Sequence, residues 1–176
     1  MGSMMGCAST PHPVPAAPWL LNVPFFSDHR DQCGPATLAA VLQFWGRHDT
    51  PQSLKADLYT PRLKGTLMMD VLLAAQAAGM KTSLYTGSLD DLRTELKAGH
   101  PLIAFLNLGF AVVPVGHYVV IVGFDEARQM VCLHSGKQAE EWLPYKKFFR
   151  VWSKTDNATL LILPPERAKE SAHVFS

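Results

Sequence analysis

Hydrophobic positions recur with helical spacing in the first half of the chain and gather into short apolar runs in the second half. The clearest predicted helix begins near Cys33, where Pro35 suits a first turn because its missing N–H would be unpaired there. Its end is predicted at Gly46, since glycine tolerates the left-handed backbone of a helix terminus. The inward positions of this helix are predicted from their spacing: Leu38, Val41, Leu42 and Trp45. The pattern therefore predicts an amphipathic helix that starts with a cysteine.

The same periodicities predict the remaining elements. Helices are predicted over residues 50–58, 66–78, 88–98 and 144–153, and strands over residues 81–85, 102–106, 118–124, 130–133 and 159–163. Ser88, followed three residues later by Asp91, is typical of a capping box at a helix start. Because helices dominate the first half and strands the second, the predicted fold class is α+β, with N-terminal helices packed on an antiparallel sheet.

One folded domain is expected between two less regular ends. Residues 1–19 are predicted to be a flexible N-terminal segment, because four prolines between Thr10 and Pro18 favour an extended tether. Residues 20–165 form the predicted domain, and a chain of 176 residues with 48% hydrophobic residues can build one full core. Residues 166–176 lack an apolar period and are predicted to be a frayed tail.

Small residues surround Cys7 in the stretch MMGCAS, which resembles the end of a bacterial lipoprotein signal. In such a signal Cys7 carries a lipid, which predicts membrane attachment and a periplasmic or outer-membrane-attached location. The match is partial, because no charged or apolar segment precedes it. The alternative is an unstructured tail with an incidental cysteine, which leaves a cytoplasmic location open.

The net charge and the number and spacing of the cysteines exclude several classes of function. The formal net charge is +1 and the basic residues are scattered, so no nucleic-acid partner is expected. No apolar run reaches the ~18 residues that a membrane helix needs. Three cysteines without a CxxC pair exclude a disulfide framework, and the seven histidines lack the i, i+4 pairing of a helical metal site. We therefore expect neither a metal nor an organic cofactor.

Cys33 and His117 are the candidate chemical pair. A thiol attacks as a thiolate, and a helix N-terminus or a nearby imidazolium lowers its pKa. Cys33 lies at a predicted helix start, which provides the first of these two pKa-lowering effects. His117 opens a buried strand and is well placed to face a cleft; it lies 84 residues after Cys33, so only the fold can bring them together. The alternative interpretations are a buried structural thiol and a core histidine.

These residues carry a family resemblance. The Gln-Cys-Gly-Pro-Ala helix opening, followed by Gly-His-Tyr-Val-Val and Gly-Phe-Asp, resembles the C39 and C39-like cysteine peptidases. The resemblance covers roughly residues 23–163 and is nearest to the stand-alone bacterial C39-like proteins, some of which carry lipoprotein signals. It implies a papain-like fold, with Cys33 as the nucleophile and His117 as the general base.

The residue that orients the histidine departs from the family pattern. C39 peptidases place an Asp at the end of the next strand, and the matching position here is Ser135. A serine hydroxyl can accept from the imidazole N–H, but it adds no charge to stabilise an imidazolium. Asn107, at the end of the preceding strand, is the alternative orienting residue. His134 is expected to point to the opposite face of its strand.

The oxyanion donors differ from the family as well. The family usually has a Gln five or six residues before the cysteine, where this chain has Ser27 and Asp28. The backbone N–H of Cys33 can still donate, and the side chains of Gln32 and Ser27 are the candidates for the second donor. One missing donor typically lowers the rate by ~10²–10³-fold.

Together these features predict a cysteine peptidase that hydrolyses a peptide or protein substrate through a Cys–His thiolate mechanism and an acyl-enzyme. The first alternative is a catalytically weak or inactive C39-like module that binds peptides, because the acidic third residue and the usual Gln are missing. The second alternative is a cysteine amidase or acyltransferase on the same scaffold.

Overall fold

The structure is a computed structural model, which describes residues 17–27, 32–58, 66–109, 113–173 and 175. Cys7, most of the predicted N-terminal segment and Asp28 lie outside the described residues. Within the described part of the chain, no helix combines the length and the apolar character needed to cross a membrane.

Helices and strands follow one another along the chain much as their periodicities predict. The helices are α1 (Cys33–Phe44), α2 (Pro51–Leu58), α3 (Met68–Ala77), α4 (Leu89–Lys97) and α5 (Tyr145–Trp152). The strands are β1 (Trp19–Leu20), β2 (Lys81–Thr86), β3 (Leu102–Asn107), β4 (Gly116–Asp125), β5 (Met130–Ser135), β6 (Gln138–Pro144) and β7 (Ala158–Leu163). Two short 3-10 helices, Ser153–Thr155 and Pro165–Glu170, flank β7. The predicted α+β class is confirmed.

The sheet is antiparallel and has the strand order β2-β7-β3-β4-β5-β6, with β1 paired to the far end of β4. Alternate residues of the central strand β4 enter two different cores, because side chains of a strand point to opposite faces in turn. Tyr118 and Val120 pack with α1, whereas Val119 and Ile121 pack with α4 and α5. Helices therefore cover both faces of the sheet.

Helix α1 is buried from Gly34 through Leu42 because it is enclosed by α2, α3 and the sheet. Leu38, Val41 and Leu42 have no exposed surface, as their spacing predicts. Gly46 follows the helix with φ of 82°, the left-handed conformation expected after its C-terminus. Burial of this helix holds its first residue, Cys33, next to the sheet.

Strand β6 was missed by the sequence pattern. Gln138–Pro144 is polar, lies at the sheet edge and exposes most of its side chains, so it lacks the alternation that marks a half-buried strand. Its backbone hydrogen bonds to β5 hold this segment as a strand instead.

Residues 167–173, within the predicted frayed tail, are docked on the domain. Arg167 donates to the carbonyl of Ala98 at 3.1 Å, and the hydroxyl of Ser171 donates to the Glu95 carboxylate at 2.7 Å. The His173 ring stacks on Tyr85 with centroids 3.6 Å apart. Polar side chains make these contacts, so the absence of an apolar period did not reveal them.

Candidate active site

The thiol of Cys33 lies at the start of α1, where the electrostatic field of the helix favours negative charge. Cys33 is the first helical residue and is half-buried, and the first turn holds no acidic residue. The aligned N–H groups of the first turn give this helix end a partial positive charge, which stabilises an anion. Gln32 occupies the N-cap position without a side-chain capping bond.

Gly34 is required by close packing at this helix start. A Cβ at Gly34 would come within 2.7 Å of the Thr66 side chain, which is shorter than any ordinary contact. The Tyr118 hydroxyl donates to the backbone carbonyl of Thr66 at 2.9 Å, and so ties this segment to β4. Burial raises the pKa of Tyr118, and the electrostatic interactions with Cys33 and Asp70 raise it further.

His117 and Ser135 meet across neighbouring strands. His117 is the second residue of β4 and Ser135 is the last residue of β5, and both are half-buried. The Nε2 atom of His117 lies 3.1 Å from the Ser135 hydroxyl, a hydrogen-bond distance. Ser135 thus stands where the sequence predicts the partner of the ring.

A narrow cavity joins the helix start to the strand ends. Cys33 and Ser135 both line it, so the thiol and the partner of His117 face the same space. The other lining residues are Phe25, Phe26, Ala36, Thr37, Ala40, Tyr118, Val120, His134 and Gly136. The aromatic pair Phe25 and Phe26 was not predicted as part of the site; its place between Pro24 and a run of polar residues was the available signal.

His134 does not point away from the site: Cys132, two residues earlier, packs in the core beneath α1, and strand alternation places His134 on that same face, where it lines the cavity. The pairing of β5 with β6 shifts register between Leu133 and Ser135, which marks an irregularity of the bulge type. The step from Leu133 to Ser135 on β5 is matched by a longer step from Glu141 to Gln138 on β6, so the additional residue lies in β6 and not in β5. His134 and Ser135, at the end of β5, both line the cavity.

The other predicted side chains have distinct surroundings. The Oδ1 atom of Asn107 accepts hydrogen bonds from the backbone N–H groups of Gly109 and Val115, at 2.9 and 3.0 Å. These contacts shape the connection that leads into β4. Ser27 is exposed and directly precedes residues 28–31, which lie outside the described part of the chain.

Cys132 contrasts with Cys33. It has no exposed surface and belongs to the core beneath α1, as its place inside a strand pattern predicts. Burial, and secondarily the charge of Glu140, raises the pKa of the Cys132 thiol to about 12. Among the described residues, no group of three or more His, Cys, Asp or Glu side chains is arranged to hold a metal ion.

Residues 20–160, which hold the whole constellation, match the Peptidase_C39 like family. The chain belongs to this family. The resemblance drawn from the Cys33 and His117 motifs is thereby confirmed. Among curated proteins, an uncharacterised protein of Methanothermobacter marburgensis is 34% identical over 94 residues. That match covers 53% of this C39-like chain and 58% of the relative, so the chain spans little more than half the length of that relative.

Solved structures share the fold of this C39-like chain. A Bacillus anthracis protein described as a C39-like peptidase has a TM-score of 0.67 at 18% identity, covering 84% of this chain and 98% of its own. A double-glycine-motif protease from an AMS/PCAT transporter, solved with its leader peptide, has a TM-score of 0.65 at 22% identity, covering 85% and 97%. The peptidase domain of Streptococcus ComA has a TM-score of 0.62 at 21% identity, covering 83% and 98%. At identities this low, these similarities establish the fold alone.

Proposed function

We propose that this C39-like protein is a cysteine peptidase, with Cys33 as the nucleophile and His117 as the general base. The observation that carries the proposal is the shared cavity. Cys33 at a helix start and the Ser135 partner of His117 both line it. A cysteine, a base and an orienting group are the minimal set for nucleophilic catalysis by a thiol.

The proposed reaction runs through an acyl-enzyme. His117 takes the proton of the Cys33 thiol, and the thiolate forms a C–S bond to the scissile carbonyl carbon. When the tetrahedral intermediate collapses, the C–N bond breaks and the imidazolium gives its proton to the leaving amine. Water then attacks the thioester while His117 removes a proton, and the C–S bond breaks to release a carboxylic acid and the thiol.

The Ser135 hydroxyl orients the ring in this scheme. With a proton on Nε2, His117 donates to the Ser135 oxygen, which leaves Nδ1 to exchange a proton with the thiol. A hydroxyl stabilises the imidazolium less than a carboxylate does. Cysteine tolerates this loss better than serine would, because a thiol ionises more readily.

Backbone and side-chain donors of the α1 start are proposed to hold the oxyanion. The N–H of Cys33 is the first donor, and Gln32 and Ser27 remain the predicted sources of a second donor. Gln32 is supported by its N-cap position, directly beside the nucleophile.

The proposed substrate is a peptide or a protein segment. The leader peptide bound to the AMS/PCAT protease supports peptide binding by this fold. Lipidation of Cys7, with a periplasmic or outer-membrane-attached location, completes the proposal and rests on the MMGCAS stretch alone.

Alkylation of Cys33 by iodoacetamide, followed against pH by peptide mass spectrometry, tests the nucleophile. We expect the thiol to react as a thiolate well below the ~8.5 of a free thiol. His117→Ala is expected to remove this low-pH reactivity. Cys132 in the same sample is an internal control that stays unreactive, because it is buried. Equal titration of Cys33 with and without His117, at the free-thiol value, would contradict the proposal.

Substitutions at Ser135 separate a weakened enzyme from a peptide-binding module. Ser135→Ala is expected to lower kcat by roughly tenfold, the loss of one hydrogen bond to a charged group. Ser135→Asp is expected to raise kcat, because a carboxylate stabilises the imidazolium that forms during the reaction. The measurement is hydrolysis of a peptide mixture followed by mass spectrometry. Peptide binding with no hydrolysis by either the wild type or Ser135→Asp would favour the binding module.

Mass spectrometry of the same products identifies the other alternative. Supplying an amine acceptor would yield an amide in place of a carboxylic acid if the protein were an acyltransferase.

A further inference from the structure

We propose that His134 is a positioning residue for this site and that it acts only as a neutral imidazole with its proton on Nε2. The inference rests on the proposed function, because the residues that His134 holds in place are the walls and the orienting group of the Cys33 cavity.

Both ring nitrogens of His134 are engaged by backbone groups. The Nε2 atom lies 2.9 Å from the carbonyl oxygen of Val23, and the N–H of Glu140 donates to Nδ1 at 3.1 Å. A carbonyl only accepts and a backbone N–H only donates, so Nε2 carries the proton and Nδ1 is bare. With 6% of its surface exposed, the ring has little access to water as a substitute partner.

These two hydrogen bonds join separate parts of the chain. Val23 leads into Phe25 and Phe26, which line the cavity beside Cys33. The Phe25 ring also packs edge-on against His134, with centroids 5.4 Å apart. The ring therefore attaches this aromatic wall to the end of β5.

The second bond reaches a strained part of β6. Glu140 has φ of 51°, a conformation that residues other than glycine seldom adopt. The His134 acceptor holds the N–H of this residue, and so holds β6 against the end of β5. The neighbour of His134 along the chain is Ser135, which contacts His117. One imidazole thus connects the aromatic wall, the sheet edge and the partner of the general base.

A second proton on His134 would oppose this arrangement. It would sit on Nδ1 and face the N–H of Glu140, which replaces a hydrogen bond with two opposed donors. Among the described residues, Cys33 from α1 and Tyr118 from β4 are the titratable groups that line the cavity with this ring, Glu140 from β6 contacts it through its N–H, and His117 lies beyond Ser135. The Glu140 side chain is exposed, so its charge is screened by water and compensates a buried cation weakly.

Two variants distinguish the effect of the His134 hydrogen bonds from the effect of protonating His134. In His134→Gln the amide keeps one donor and one acceptor but does not change charge with pH. In His134→Leu both hydrogen bonds are lost at a similar side-chain volume. The primary readout is the rate of Cys33 alkylation by iodoacetamide between about pH 5 and pH 8, the range in which imidazole titrates. Thermal unfolding of each variant is recorded alongside.

We expect His134→Gln to match the wild type near pH 8 and to lose less reactivity toward pH 5. We expect His134→Leu to be slower by about tenfold across the range, the equivalent of one net hydrogen bond. The proposal is overturned if His134→Leu folds and alkylates with the wild-type rate and pH profile. It is also overturned if the alkylation rate of His134→Gln falls between pH 8 and pH 5 as steeply as the rate of the wild type. This second test remains valid even if His134→Leu does not fold.

Nitrogen-detected NMR of the imidazole and the Glu140 amide gives a readout that is independent of the nucleophile. An Nε2–H tautomer, with a Glu140 amide signal that shifts in acid in the wild type and stays fixed in His134→Gln, supports the proposal. An Nδ1–H tautomer overturns it. If His117→Ala leaves the alkylation of Cys33 unchanged while this NMR signature is present, the proposed peptidase function fails and the hydrogen bonds of His134 stand.

Discussion

Replacing Cys33 with alanine is expected to abolish peptide hydrolysis, with a loss of about 10⁴–10⁶-fold in kcat. The thiol forms the bond to the acyl group, so its removal eliminates the covalent route rather than weakening it. Gly34, Pro35 and Ala36 after it are buried in α1, so the helix start is held by packing that the substitution leaves in place. The measurement is product formation from a peptide mixture, with trapping of the acyl-enzyme as a mass increase on the Cys33 peptide.

Cys132→Ala is the matched control for this variant. The same chemical change is then made at a thiol that is buried in the core and has its pKa raised to about 12. We expect this control to lose some stability through the small cavity it creates and to keep its kcat. Hydrolysis by Cys33→Ala at a rate near that of the control would contradict the role of Cys33 as nucleophile.

His100→Ala is expected to lower the free energy of unfolding by about 3–5 kcal/mol, the usual result of removing one partner from a buried pair. His100 has no exposed surface, and its Nδ1 lies 2.6 Å from the carboxylate of Glu95, which is 2% exposed. Without the ring, Glu95 retains the Ser171 hydroxyl at 2.7 Å but loses its closest partner. Denaturant unfolding measures the change.

Glu170→Gln is the control that tests burial as the cause. Glu170 also contacts His100, at 3.3 Å, but its side chain is 43% exposed and also contacts Arg167. Since exposed pairs are worth little, we expect a much smaller loss of stability than for His100→Ala. Equal losses from the two variants would show that contact number, rather than desolvation of Glu95, governs stability in this cluster. The double variant Glu95→Leu with His100→Leu is expected to recover part of the loss, because no unpaired charge remains buried.

Local structure was predictable wherever neighbouring residues determine it. Helix α1 runs between Cys33 and Gly46 as its spacing predicts. The capping box of α4 is present, with the Asp91 N–H donating to the Ser88 hydroxyl at 3.1 Å and the Ser88 N–H donating to Asp91 at 2.8 Å. Such features depend on contacts within one helical turn, which a linear pattern records directly.

The failed predictions share a different cause. Strand β6 is polar, and the tail at 166–173 docks through side chains such as Arg167 and Ser171, so neither has a hydrophobic period to read. The direction of His134 was wrong because alternation along β5 places it with Cys132 on the face toward α1, and the cavity lies on that face. Tertiary packing decides which face of β5 lies toward α1, and the sequence of β5 alone does not record it.

The sequence by itself determined the α+β class, the family and the residue types available for chemistry: a cysteine at a helix start and a histidine at a strand start. Only the tertiary structure decided that the Ser135 hydroxyl lies 3.1 Å from Nε2 of His117, and that Cys33 and Ser135 share one cavity. The physical reason is sequence distance. Cys33 and His117 are 84 residues apart, and only the packing of α1 on β4 brings the two regions together. The energy of that packing is distributed over the whole core and does not come from the site residues alone.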